Sequence, residues 1–285
     1  MVLSGCSSTV PQGAALAPAA HISARKPVTP TKILVVIEEN HSFAEMQAGM
    51  PFLVSQAKKY GYAAHWQALS HPSEPNYLGI AGGSMFGVTD DAAPAVNAAK
   101  VGQAASVFSQ AIKAGRTATT YAESVPTKCG QANNGNYAVR HNPWAYFASD
   151  RVACKAHDIG TSRFIADARA NRLPNVGFLI PNLIHDAHDG TLAVADSWLK
   201  TELAPVLASK DFTSGKLVVV VTADEDDRLS GNMVLTSVLS SRLHHKVVTG
   251  KLNHYSLTRF IDQVLRVAPL RGARTAPDLR TLFGF

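Results

Sequence analysis

Two apolar runs in this chain end on carboxylates. Ile33-Leu34-Val35-Val36-Ile37 leads into Glu38-Glu39-Asn40-His41-Ser42, and Leu217-Val218-Val219-Val220-Val221 leads through Thr222-Ala223 into Asp224-Glu225-Asp226-Asp227. Consecutive β-branched and aliphatic residues read as strands buried on both faces. An unpaired carboxylate at such a strand end is costly, so these side chains should meet a ligand or a metal. Glu39, Asn40, Asp224 and Glu225 together offer three carboxylates and an amide oxygen. That hard-oxygen set suits Mg²⁺, Ca²⁺ or Mn²⁺, and also Zn²⁺. Acids that cap helix N-termini or face solvent are the ordinary alternative for any one of them. That alternative does not explain two buried strands ending alike.

Ser73 lies between Pro72 and Pro75 in Ser70-His71-Pro72-Ser73-Glu74-Pro75-Asn76-Tyr77. The prolines restrict the backbone around its hydroxyl. A serine becomes a nucleophile when a base or a metal stabilises its alkoxide. It is also a preferred helix N-cap, and the two roles are compatible because a helix N-terminus favours a bound phosphate. His185, Asp186, His188 and Asp189 form a second polar cluster, able to ligate a metal, hold a phosphate oxygen or protonate a leaving group. Taken alone, that cluster fits a polar turn before a helix equally well. His254, in Asn253-His254-Tyr255-Ser256, sits where the last helix should begin, and His141 is a weaker candidate. The whole set points to a metal-assisted hydrolase. There is no P-loop, no dinucleotide fingerprint and no Gly-x-Ser-x-Gly elbow. A Ser73-based triad would leave the paired acidic strand ends unexplained.

The elements that must position these residues alternate. Strands are expected over 31–37, 63–68, 117–122, 175–180 and 216–221, with another near 233–239. Helices are expected over 51–60, 77–83, 104–114, 164–170, 193–208 and 254–267. Residues 123–160 read as a long irregular insertion. Alternation of this kind predicts an α/β fold: a three-layer sandwich with a mainly parallel central sheet flanked by helices, its ligands at the C-terminal strand ends. Residues 1–30 read as an export-signal remnant or flexible tether, and 31–285 as one catalytic domain. The chain has 285 residues, 46% hydrophobic and 17% charged, ordinary values for a globular domain. No run is long enough to span a membrane. The net charge of +6 is compatible with an anionic substrate, and an excess of Lys and Arg that only aids solubility is the plainer alternative. The positive residues are scattered along the chain without interleaved aromatics, which argues against a nucleic-acid partner.

There are three cysteines. Leu3-Ser4-Gly5-Cys6 looks like the lipobox of bacterial lipoproteins, which would make Cys6 a lipidation site and anchor the chain to a membrane. Only Met1 and Val2 precede the motif, so either an export signal extends further upstream or the match is chance. Cys129 and Cys154 fall in the loop-rich region. In an exported chain they would form a disulfide, and two unrelated buried thiols are the plain alternative.

Further motifs accompany these: Gly87-Val88-Thr89, Arg140-His141-Asn142-Pro143-Trp144, Ile180-Pro181-Asn182, His188-Asp189-Gly190, Asp196 with Trp198-Leu199, and His254-Tyr255. In this order over about residues 31–284, the chain resembles the bacterial phosphoesterase family of secreted acid phosphatases and phospholipases C, within the alkaline phosphatase superfamily. It is most like the family's shorter, secreted mycobacterial-type acid phosphatases. The resemblance implies a divalent-metal site at Glu39, Asn40, Ser73, Asp224 and Glu225, with Ser73 rather than Ser42 as nucleophile. It also implies phosphate-pocket histidines at His188 and His254. Around them His71, Asn76, His141, His185 and Asp186 are expected to contact substrate. The Cys129–Cys154 pair resembles a disulfide of secreted relatives. The implied activity is a metal-dependent phosphomonoesterase working through a phosphoserine on small phosphate esters. The alternatives are a phospholipase C-type phosphodiesterase on lipid head groups, and a non-catalytic phosphate-binding surface lipoprotein. The implied location is secreted or lipid-anchored at the cell surface. The chain departs from the family pattern at His185, Ala223 and Arg228, which line or flank the expected pocket.

Overall fold

The computed structural model describes Met1–Val2 and residues 29–285. Cys6 and most of the expected tether lie outside the described residues. Ten strands are present: β1 (Lys32–Glu38), β2 (Gly61–Ala63), β3 (Trp66–Gln67), β4 (Ala118–Ala122), β5 (Asp158–Ile159), β6 (Val176–Ile180), β7 (Leu217–Ala223), β8 (Thr236–Leu239), β9 (Lys246–Val248) and β10 (Leu252–Asn253). Eight of them form one sheet in the order β5-β4-β6-β1-β7-β8-β2-β9. All neighbours in it are parallel except β8, which runs antiparallel to both β7 and β2. The expected α/β sandwich with a mainly parallel sheet is the fold found. None of the described helices is long and apolar enough to cross a membrane.

Strands β1, β6 and β7 form the centre, and every residue of β6 and β7 is buried. Their valines and isoleucines fill the pleat on both faces, each buried side chain contributing about 1.5–3 kcal/mol. The helices that cover them are α1 (Phe43–Gly49), α2 (Pro51–Lys59), α3 (Ser73–Gly82), α4 (Pro94–Val101), α5 (Val107–Lys113), α6 (Arg151–His157), α7 (Phe164–Arg169), α8 (Leu192–Ala208), α9 (Lys210–Thr213), α10 (His254–Leu265) and α11 (Leu279–Phe283). Helix α3 is buried along its whole length. It approaches its neighbours closely through small residues. A Cβ on Gly79 would stand 2.4 Å from Leu69 Cδ1, and Thr258 on α10 donates a 2.9 Å hydrogen bond to the Gly79 carbonyl.

The expected strand at 63–68 is two strands. β2 joins the main sheet, whereas β3 pairs with β10 in a separate two-stranded ribbon. The cause is a change of partner: Ala64 N–H donates to Val248, and Trp66 O accepts from Val234. The supposed irregular stretch 123–160 holds three 3₁₀ turns, α6 and β5. A disulfide closes it, with Cys129 and Cys154 at a Cα separation of 5.3 Å, inside the range such bonds require.

Candidate active site

The parallel register of β1 and β7 builds the site. Glu38 pairs with Ala223 at the last rung, so Glu39 and Asp224 leave the sheet side by side. Asp224 N–H donates to the Glu38 carbonyl at 3.0 Å, and the Asn40 N–H donates to Asp224 Oδ1 at 3.2 Å. The turn after β6 joins them, with Glu39 N–H donating to the Asp186 carbonyl at 2.8 Å. Alternation along β1 sends Glu38 to the opposite face from Glu39. There Glu38 is fully buried, with neither carboxylate oxygen bonded. Burial, followed by the charges of Asp186 and Asp196, raises its pKa well above the usual carboxylate range.

Ser73 opens α3, and Pro75 occupies a first-turn position where a missing N–H costs little. Ser73 Oγ donates to Glu39 Oε2 at 2.9 Å. One turn further on, Tyr77 donates its hydroxyl to Glu39 Oε1. Ser42, the other serine near the first acidic end, is occupied in a capping box with Glu45 at the start of α1.

His141 is buried against the same carboxylate. Its Nε2 lies 3.3 Å from Glu39 Oε2 and its Nδ1 lies 3.1 Å from Asp186 Oδ2. Burial, then the neighbouring Arg140 and His188, push its pKa well below the usual histidine value, so the ring is neutral. With Nδ1–H donating to Asp186, Nε2 presents a lone pair towards an oxygen of Glu39. Two electron-rich atoms at that distance repel unless a cation or proton lies between them. The buried Asn40 Oδ1 and Asp224 Oδ2 also lack any hydrogen-bond partner. Glu39, His141 and Asp186 bring potential ligand atoms within 4.8 Å of one another. Burial raises the pKa of both Glu39 and Asp224, with Asp224 and Asp186 adding to the effect on Glu39 and Glu225 adding to that on Asp224. Orphaned buried oxygens, a lone-pair nitrogen and crowded carboxylates fit a divalent cation. The other group of this kind, Cys129, Cys154 and Asp158, has its thiols joined as the disulfide.

Above this cluster opens a cavity of about 330 Å³, lined by Asn40, Ser73, Asp91, His188, Glu225 and Asp226 among others. Here the structure redistributes several expected roles. Glu225 leans to the far wall, accepting from Asn76 Nδ2 at 3.3 Å and facing His71 Nδ1 at 3.1 Å. The other nitrogen of His71 faces Asp226 Oδ1 at 3.2 Å. His71 therefore sits between the two carboxylates of the acidic loop, with Nδ1 lacking a hydrogen-bond partner. Asn76 is fully buried, and its Oδ1 accepts from the Leu69 and Ser70 N–H groups; it shapes the loop before α3.

His254 is placed behind the site. Its Nδ1 accepts from Trp66 Nε1 at 3.2 Å, and its Nε2–H donates to the Asp224 carbonyl at 2.6 Å. Burial pushes its pKa down to about 4. Neutral and bonded at both nitrogens, it positions Asp224 and cannot donate to a phosphate. His185 points elsewhere: Nδ1 lies 2.9 Å from Glu123 Oε2, and the ring stacks on Trp198 beside a separate hollow. His188 does line the cavity. Its Nε2 accepts from Arg140 Nη2 at 3.0 Å, and Nδ1–H donates to Asp189 at 2.7 Å. In this arrangement it orients Arg140 and has no proton free for a leaving group.

Three residues at or beside the cavity carry no assigned role in the sequence, although Arg228 stands out there as a departure from the family pattern. Tyr77 was legible in retrospect, because a position four after Ser73 shares its helix face. Asp91 accepts from the Glu74 N–H at 2.9 Å and so fixes the first turn of α3 from a distant loop. Arg228 lines the cavity with φ +68°, in the left-handed region that a β-carbon disfavours by about 1–2 kcal/mol. Asp226 Oδ1 holds its N–H at 2.8 Å. Arg228→Gly exchanges that strain for glycine's entropy cost, so stability should change by less than about 1 kcal/mol. The lost guanidinium should raise KM several-fold for an anionic substrate while kcat changes little. Steady-state kinetics beside a thermal melt would check both halves, and an unaltered KM would remove Arg228 from substrate binding.

Residues 46–268 match the profile of the Phosphoesterase family. The chain is 32% identical over 258 residues to a phosphatidylinositol-3-phosphatase of Mycobacterium tuberculosis, covering 88% of this chain and 82% of that one. It is 31% identical over 215 residues to a phosphate-repressible acid phosphatase of Penicillium chrysogenum, covering 70% of this chain but only about half, 51%, of the fungal protein. Among solved structures, an alkaline phosphatase superfamily protein from Vibrio parahaemolyticus superposes with a TM-score of 0.58 at 11% identity, covering 90% of this chain and 72% of that one. Human ectonucleotide pyrophosphatase/phosphodiesterase 5 gives a TM-score of 0.59 at 8% identity, over 89% of this chain and 100% of that one; these two likenesses concern the fold. The chain belongs to the phosphoesterase family and is a hydrolase acting on phosphoric ester bonds.

Proposed function

We propose that the protein is a divalent-metal-dependent phosphomonoesterase in which Ser73 carries the phosphoryl group. The observation behind this reading is the Ser73 hydroxyl, hydrogen-bonded to Glu39 within a buried set of oxygens that lack partners. Glu39, Asn40, Asp224 and Ser73 would hold the cation, with His141 beside them. When bound, it would neutralise the crowded carboxylates and lower the pKa of the serine hydroxyl. Glu39 Oε2 already accepts the Ser73 proton as a hydrogen bond, and burial raises its proton affinity. Ser73 Oγ attacks phosphorus in line and the bond to the alcohol oxygen breaks. The leaving oxygen gains a proton from solvent at the cavity mouth, and water then hydrolyses the phosphoserine. The N-terminus of α3 and the Arg140 guanidinium favour the charge on the non-bridging oxygens.

A cavity of about 330 Å³ suits a small phosphate ester or one head group. The mycobacterial relative's name supports a phosphorylated alcohol, lipid-borne head groups included. The disulfide supports an exported location, where lipidation at Cys6 would add a membrane anchor. The test is acid quenching during turnover of an aryl phosphate, followed by mapping of the phosphorylated peptide. Label at Ser73 is expected, with turnover falling below a tenth on chelation and returning with added divalent ion. Turnover without label at Ser73, indifferent to chelator, would sink the proposal. Faster cleavage of an aryl phosphodiester than of the monoester would move the assignment to a phosphodiesterase.

A further inference from the structure

A second cavity, larger than the one above Ser73, lies elsewhere in the fold. It measures about 590 Å³ and lies where the sheet ends, beside β4 and β5. Its lining comes from both sides of that edge and from the N-terminal end of the strands. Thr117 and Pro174 precede β4 and β6 there, whereas Ser73 and Asp224 stand at the opposite, C-terminal end.

Its charge is one-sided. Arg116, Lys128, Arg163 and Arg172 line it against one carboxylate, Asp167. Four positive charges less one negative leaves +3, half of the chain's formal excess of +6. Asp167 is already engaged three ways. It accepts from Tyr121 at 3.1 Å, and it pairs with Arg163 at 3.5 Å and Arg172 at 3.4 Å. Arg116 and Lys128 make no side-chain hydrogen bond or ion pair with any described residue. The strand edge adds neutral donors. β5 pairs with β4 only at Thr120 and Tyr121, so Ala118 and Thr119 have no strand beside them on that side. Like charges converging on one concave wall repel one another, and the wall concentrates their field on whatever anion enters.

We infer that this cleft is a second, non-catalytic binding site for a small soluble polyanion bearing clustered phosphate groups. Arg116 and Lys128 are its free anchors, while Arg163 and Arg172 are held in place by Asp167. A concave site of about 590 Å³ fits a compact ligand of several charges better than the flat face of a membrane. The site is independent of the proposed chemistry at Ser73.

Tripolyphosphate is the probe, titrated calorimetrically at low salt into Ser73→Ala protein kept metal-free, so that neither hydrolysis nor the catalytic cluster contributes. Saturable one-to-one binding is expected, weakening steeply as salt is added. The double variant Arg116→Glu, Lys128→Glu on the same background should bind at least tenfold more weakly. The same two changes in the wild-type chain should leave aryl phosphate turnover unaltered, because both residues are exposed and remote from Ser73. Absence of saturable binding overturns the inference, and so does equal binding by the double variant. Flotation with phosphatidic acid vesicles is the contrasting arm. Charge-dependent vesicle binding without tripolyphosphate binding would also overturn it, in favour of a membrane-facing surface.

Discussion

Ser73→Ala is expected to lower kcat/KM on an aryl phosphate by a factor on the order of 10³ or more. Removing a covalent nucleophile abolishes the route, and what survives comes from substrate binding and charge stabilisation alone. The fold should tolerate the change. Ser73 is buried at the start of α3, but the substitution deletes a single oxygen, and Tyr77 still donates to the other oxygen of Glu39. The loss of one hydrogen bond to a carboxylate should cost about 1–2 kcal/mol. Kinetics and a thermal melt on the same preparation separate the two effects. A variant that keeps a tenth of the wild-type rate would place the nucleophile elsewhere. Ser42 could not replace it without first releasing Glu45 and fraying α1.

The frame of the fold was legible because its central strands are chemically simple. β1 and β7 are unbroken runs of aliphatic residues, a pattern only a strand covered on both faces accommodates well. Their register then places Glu39 beside Asp224, which the sequence implies once both are recognised as parallel neighbours. The short elements were not legible. β5, β9 and β10 have two or three residues each, too few to show a period, and each exists because a partner strand distant in sequence offers it an edge. The division of 63–68 into β2 and β3 depends on Val248 and Val234, which are far away in sequence.

The site was legible in its residue types more than in its contacts. Histidines near strand ends looked alike in the sequence. Only the packing shows that His254 supports Asp224 from behind, that His185 faces Trp198, and that His141 meets Glu39. A buried polar side chain must find partners, and those partners lie 30 to 188 positions away. The basic cleft gives the same lesson in reverse. Arg116, Lys128, Arg163 and Arg172 are scattered along the chain and formed no pattern there, yet the end of the sheet gathers them on one wall.

Asp224→Asn is expected to cut the phosphatase rate by on the order of 10²-fold, as loss of a major transition-state charge stabiliser does. The shape is kept, because an amide oxygen can still accept the Asn40 N–H, but the negative charge that would attract the cation is gone. Excess divalent ion should restore part of the rate if weakened affinity is the main defect. Stability without metal should move the opposite way. Burial, then Glu225, raises the Asp224 pKa well above its ordinary value. The folded state therefore binds this proton more tightly than the unfolded chain does. The resulting stability is present below the ordinary aspartate range and is lost as pH rises towards the folded pKa. A neutral amide escapes that loss, so the metal-free variant should melt above metal-free wild type at neutral pH, with a gap that narrows as the pH is lowered towards 4. Adding divalent ion should reverse the order, because only the wild type gains the full binding energy. Melts of both proteins across pH, with and without ion, would show the crossing. A variant that is less stable than wild type in every condition, or one of undiminished activity under limiting metal, would mean that Asp224 is neither a strained carboxylate nor a ligand.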